Sequence, residues 1–255
     1  MTLVAITRPV SSSLAQCEIT FIEREPINLS LARHQHAAYE AILERLGARL
    51  VRLPRADAFP DAVFIEDTAL VLDRLAVIPI MGAPSRRGET TEVARCLAAY
   101  RPLHQLEAPA TLDGGDVMQA GRTLYVGLTA RTNRAAVEQL ASATEAHGYC
   151  VAPIVPTGCL HLKSACTYLG RGVVLANPAW IDPACLQGLD VIPVAPEEPF
   201  AANALAIAGR LVYASDFPKT RATLARRGFE VITLDTAELR KAESAMTCMS
   251  LVFEA

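Results

Sequence analysis

The 255 residues are 51% hydrophobic and 20% charged, with a formal net charge of −3. That balance supplies material for a core and excludes any general attraction to polyanions; nucleic acid or an anionic membrane surface would need a local basic patch, and none is evident. The seven cysteines are odd in number and contain no C-x-x-C pair, which argues for reduced thiols and against a disulfide framework or a structural zinc site.

The N-terminal stretch "MTLVAITRPVSSS" lacks a basic region followed by an apolar leader, and no run approaches the length of a membrane span, so a soluble, cytoplasmic protein is expected. A helix is predicted from Asn28, with Tyr39, Ile42, Leu43 and Leu46 on one face and a stop at Gly47. The strand "RLVRLP" follows. The same succession recurs from Pro84 before "LHQLEAP" and from Asn133 before "YCVAPIVP". It recurs again as the short "PACLQG" before "LDVIPVA", and as "PKTRATLARRG" before "FEVITLD". Between these units lie pairs of β-rich runs joined by turn residues: "TALVLDRLAVIPI", "GDVMQAGRTLYVG", "CTYLGRGVVLAN" and "ALAIAGRLVYAS".

Five helix–strand units thus share four internal hairpins. The two unassigned strands, "LVAITRPV" near the start and "MSLVFEA" at the end, complete the fifth hairpin only if the chain ends meet. The predicted architecture is a single α/β domain over residues 1–255, a five-bladed propeller of ββαβ modules closed by the N- and C-terminal strands. A doubly wound parallel sheet fits less well, because the strands between helices come in antiparallel pairs.

In every module the segment between the post-helix strand and the hairpin should lie at the same end of the ring. Those segments carry Glu66 and Asp67, Asp113, His161, Asn203 and Cys248, recurring every 42 to 48 residues. Near-constant spacing predicts that these side chains converge on the axis. A thiol, an imidazole and several carboxylates together make a nucleophile with a proton shuttle beside a cation-binding wall. Glu66 and Asp67, adjacent in the apolar run "VFIEDTALV", would repel unless a cation neutralises them, and a guanidinium presents a planar fork suited to carboxylates. Each residue also has a bland reading. Cys248 suits the start of a core strand, Asp113 in "LDGGD" suits a turn, and His161 suits a satisfied core position. Asn203 reads as well as a structural turn residue and is left out of the site. The pair in "HQH" at His34 to His36 does not form a metal site, since i and i+2 do not share a helix face.

Seven motifs in order, "FPDAVFIEDTALV" from Phe59, "GAPSRRGET" from Gly82, "ATLDGGDV" from Ala110, "YVGLTARTN" from Tyr125, "LHLKSA" from Leu160, "AANALAI" from Ala201 and "TCMSL" from Thr247, resemble those of the dimethylarginine dimethylaminohydrolases. The resemblance spans essentially the whole chain and implies the pentein fold of the guanidino-group-modifying enzymes. It implies Cys248 as nucleophile, His161 as general acid and base, and Asp113 as the carboxylate orienting that histidine. Glu66 and Asp67 would grip the guanidinium, and Asp61 with the Ile19 carbonyl would hold the α-amino group. Arg86 and Arg131 would bind the carboxylate, and the Ala242 carbonyl would face the site. The implied activity is hydrolysis of Nω-methylated L-arginines to L-citrulline and methylamines through a covalent cysteine intermediate. No metal or other cofactor is called for, the partner is a small guanidino amino acid, and a homodimer is left open. The alternatives are a deiminase that releases ammonia from arginine and a non-catalytic propeller used for binding. One departure stands out: "KAESAMTC" carries Glu243 and Ser244 where many relatives have an acidic residue followed by glycine, so a different backbone is expected on the approach to the thiol, because glycine tolerates conformations that serine resists.

Overall fold

The computed structural model describes residues 2–255. Helix α1 (Leu29–Arg45) starts where the Asn28 side chain accepts the Leu31 amide, and it ends at Gly47, whose φ of +90° is the left-handed stop that glycine supplies without strain. It buries Ala32, Tyr39, Ile42 and Leu43, the face expected from its periodicity, although Leu46 lies at the cap beyond it. The same Asn cap recurs on α3 (Arg134–Glu145), while a 3-10 turn over Pro84–Glu89 leads into α2 (Thr90–Leu97). Two four-residue helices, α4 (Leu162–Ala165) and α6 (Ala237–Arg240), flank α5 (Pro218–Arg226), which has proline in its first turn. The stretch "PACLQG" is no α-helix: it makes a single 3-10 turn over Pro183–Leu186, held by the Asp182 cap on Ala184. Too few residues separate its strands to repay helix nucleation.

The first blade joins β15 (Leu251–Glu254), β1 (Leu3–Thr7) and β2 (Arg49–Arg52), in that order. Next come β3 (Leu70–Val71), β4 (Ala76–Ile78) and β5 (Leu103–Gln105), then β6 (Val117–Ala120), β7 (Thr123–Gly127) and β8 (Cys150–Ile154). The last two blades are β9 (Cys166–Gly170), β10 (Val173–Ala176) and β11 (Asp190–Pro193), and β12 (Leu205–Ile207), β13 (Arg210–Ala214) and β14 (Val231–Leu234).

Each blade has one antiparallel and one parallel pairing, which excludes the doubly wound sheet. Ring closure is as predicted. Leu3 pairs with Glu254 and Ile6 with Leu251, and the Thr2 and Ala255 backbones exchange two further hydrogen bonds. The structure is the five-bladed α/β propeller of the penteins. Neighbouring blades touch through their first strands, β15 with β3, β6 with β9 and β9 with β12. The segments entering those first strands are therefore brought to one end of the axis. Four of the five enter as a single helical turn: Ile65–Thr68, Gly114–Asp116, α4 and Thr247–Met249.

Candidate active site

Each of those turns carries a residue of the predicted set or is capped by one: Glu66, Asp67 and Cys248 lie within their turns, while Asp113 and His161 stand at the N-caps of theirs. A small cavity of about 20 Å³ is lined by Cys248, His161, Asp67, Asp61, Arg86, Arg131 and Ala242, joined by Glu18, Phe64, Leu160, Glu243 and Ser244. Asp113 stands behind His161, and Glu66 lies beside the Cys248 turn rather than on the cavity wall. Ile19 is not among the residues lining this cavity; it packs against the large core cluster, while the neighbouring Glu18 does line it. A backbone carbonyl in a loop has no side-chain signature, so its position is not fixed by the sequence. Such a volume admits about one water. The Asp61 carboxylate accepts the Glu18 amide at 3.2 Å, which ties the loop bearing Glu18 to the cavity wall.

His161 Nε2 meets Asp113 Oδ2 at 3.1 Å, and its Nδ1 faces Asp67 Oδ1 at 3.8 Å. The other Asp113 oxygen accepts the Gly82 amide, which fixes the carboxylate. Burial alone would lower the His161 pKa, but Asp67, the Asp113 hydrogen bond and Asp116 outweigh it and raise the imidazole to about 9. Burial likewise opposes ionisation of Asp67, yet His161, Arg86 and the Gly115 amide hold it at about 2. Cys248, partly buried, is pushed well above the ordinary thiol range, first by desolvation and then by Glu66 and Asp67; the Ala245 amide and Lys163 only partly offset this. In the free protein the imidazole and the thiol therefore both carry protons at neutral pH.

The adjacent carboxylates Glu66 and Asp67 are each answered by a cation of the chain itself. Lys163 pairs with Glu66, whose other oxygen accepts the Thr247 hydroxyl, while Arg86 donates to Asp67 at 2.7 Å. Arg86 also donates to Glu89 and to the Asp61 and Phe64 carbonyls, so its donors are engaged within the fold. Arg131 is freer, with Asp113 at 3.8 Å as its nearest carboxylate. Side chains as long as Lys163 and Arg86 reach partners that sequence spacing alone does not single out. Asp116, the second acid of "LDGGD", also escaped the sequence reading; it accepts Thr129, Thr132 and the Leu162 amide, anchoring the turn that presents His161. Asn203 braces the nucleophile's turn, donating to the Lys163 carbonyl and the Thr247 hydroxyl and accepting the Thr247 amide. Oxygen and nitrogen atoms of Asp67, Asp113 and His161 lie within 4.8 Å of one another, but Arg86 and Arg131 already supply positive charge there.

Two structural details decide how closely these turns pack. A Cβ on Gly114 would lie 2.1 Å from the Glu66 carbonyl oxygen, and one on Gly115 would lie 2.6 Å from Asp67 Oδ1 and 2.7 Å from His161 Nδ1. Gly115→Ala should therefore separate Asp67 from His161 and lower kcat by at least about a hundredfold, since misplacement of about 1 Å costs that much. A variant that stays folded by circular dichroism and keeps full kcat would contradict this placement. At the departure noted above, the left-handed backbone falls on Glu243, with φ of +55°, and not on Ser244. Glu243 has a compensating use, because its carboxylate accepts the amides of Thr20, Phe21 and Ile22 and ties down the loop over residues 20–22.

Known proteins resemble this chain over most of its length. Residues 55–192 match the family model for arginine deiminase. A dimethylarginine dimethylaminohydrolase of Pseudomonas aeruginosa is 36% identical over 224 residues, covering 87% of this chain and 88% of that protein. Its counterpart from Streptomyces coelicolor is 39% identical over 248 residues, 97% of this chain and 95% of that one. The chain belongs to the dimethylarginine dimethylaminohydrolase family. The P. aeruginosa family member, solved as a cysteine-to-serine mutant complexed with citrulline, superposes with a TM-score of 0.94 at 33% identity, over 99% of this chain and all of that one. Among the described residues no helix is long and apolar enough to cross a membrane.

Proposed function

We propose that this protein hydrolyses Nω-methylated L-arginines to L-citrulline and methylamines, residues 1–255 acting as one catalytic unit. The observation that carries the reading is a thiol and an imidazole on one small cavity whose wall also holds Asp67 and Arg131, in a chain of this family. A substrate with a cation at one end and a carboxylate at the other matches that division of charge. Asp67, with Glu66 beside it, takes the guanidinium; Asp61 takes the α-amino group; Arg131, with Arg86 next to it, takes the carboxylate. Seven free cysteines suit a reducing compartment such as the cytoplasm.

Arrival of the guanidinium beside Cys248 restores the positive charge the thiolate lacks, and the thiol proton leaves for solvent. The thiolate attacks the guanidinium carbon, forming a C–S bond. Collapse of the adduct breaks the C–N bond to dimethylamine, which takes its proton from His161. The now neutral imidazole accepts a proton from water, whose oxygen attacks the amidino-thioether carbon; the C–S bond breaks and citrulline is released. Asp113 holds the ring through both steps and stabilises its charged form.

The pH dependence follows from the two protons. Below about 9 both groups of the free enzyme are protonated, whereas the productive pair is thiolate with imidazolium. One proton must be lost, so kcat/KM should climb by about tenfold per pH unit. It should level off near pH 9, where His161 begins to lose its proton as fast as Cys248 does. A profile already flat at pH 6 would contradict the assignment.

The ligand class is tested apart from chemistry by calorimetric titration of Cys248→Ser with dimethylarginine, arginine and agmatine. Binding of both amino acids, with agmatine at least about tenfold weaker for want of a carboxylate, is expected. Equal binding of agmatine would remove Arg131 from the substrate site, and no binding of any of the three would leave a propeller without this ligand.

A further inference from the structure

A second cavity, about 340 Å³, lies against the catalytic one and shares three wall residues with it: Leu160, Glu243 and Ser244. The remainder of its lining combines apolar side chains, Cys159, Phe200, Phe217 and Met246 among them, with the charged Glu23, Glu25, Arg240 and Lys241. Its position relative to the catalytic groups is defined. It includes Ala245, whose amide contacts Cys248 Sγ at 3.3 Å, and Asn203, which braces Thr247 beside the nucleophile. The other end of the catalytic cavity, Asp61, Arg86 and Arg131, has no share in it. The large cavity thus opens beside the thiol, where a guanidino nitrogen and its substituent would lie, and not beside the groups that would hold the amino acid end.

The three shared residues are not equivalent as a partition. The Glu243 carboxylate is tied to three loop amides, and Ser244 is small, with its hydroxyl turned to the Ala245 carbonyl. Leu160, next to His161 in the chain, supplies the apolar bulk. We propose that Leu160 determines specificity by screening the catalytic cavity from this apolar space, which confines the Nω-substituent to methyl size. The space beyond is a latent subsite for a longer apolar Nω-alkyl chain. The inference rests on the reaction proposed above and leaves the chemistry unchanged, since only the leaving amine grows.

Turnover of Nω,Nω-dimethylarginine and Nω-propylarginine is compared for the wild type, Leu160→Val and Leu160→Ala by citrulline release. A pocket discriminates about 10- to 200-fold for one methylene, so the ratio of kcat/KM, propyl over dimethyl, should rise by at least about tenfold in the alanine variant and by less in the valine variant. An unchanged ratio in both, or an equal fall on both substrates, would overturn the proposal. Should the alanine variant fail to fold, the valine variant carries the test with the same sign. Silence of the wild type on dimethylarginine would be a different failure, that of the reaction itself, and would take this inference down with it.

Discussion

Replacing Cys248 with serine should reduce citrulline release by a factor on the order of 10⁶, the scale at which loss of its nucleophile disables a hydrolase. The physical reason lies in the charge around the thiol. Desolvation, Glu66 and Asp67 oppose an anion at this position, and a serine hydroxyl, intrinsically harder to ionise, would face the same field without sulfur's nucleophilicity. The fold should survive, because the turn is held by contacts that serine keeps: Asn203 on Thr247, Thr247 on Glu66, and Tyr39 on Ser250. Single-turnover citrulline measurement on the folded variant checks this, and turnover within about a hundredfold of the wild type would rule out Cys248 as the attacking group.

Loss of His161 should be nearly as severe by a different route. His161→Ala removes both the proton donor to the amine and the base for water, each of which contributes about 10²- to 10⁴-fold. It also strips Asp67 and Asp113 of the imidazolium they flank. Binding through Asp61 and Arg131 does not pass through the ring, so kcat should collapse while KM changes little. The alkaline levelling of kcat/KM near pH 9 should disappear as well, because the group responsible is gone. A variant with a raised KM and unaltered kcat would assign His161 to binding alone.

The ring was legible because the same succession of hairpin, connecting turn or helix and parallel strand repeats along the chain: the stops at Gly47 and Gly148, the caps at Asn28 and Asn133, and a fifth hairpin that only β1 and β15 can make. Convergence of Asp67, Asp113, His161 and Cys248 followed from the same repeat, since equivalent turns enter equivalent strands. What stayed hidden depends on reach rather than register. Lys163 on Glu66 and Arg86 on Asp67 are set by long flexible side chains, and Asp116 works through hydroxyls thirteen and sixteen residues away. Spacing also does not reveal that Glu243 bears the left-handed backbone of its turn, or that its carboxylate fastens the loop over residues 20–22.

The most direct measurement is steady-state turnover of purified protein with asymmetric dimethylarginine and with arginine, scoring citrulline together with the released amine. The account predicts citrulline and dimethylamine in equal amounts, with kcat/KM for dimethylarginine well above that for arginine. Ammonia from arginine as the preferred reaction would make the chain a deiminase in activity and contradict the assignment of its leaving group.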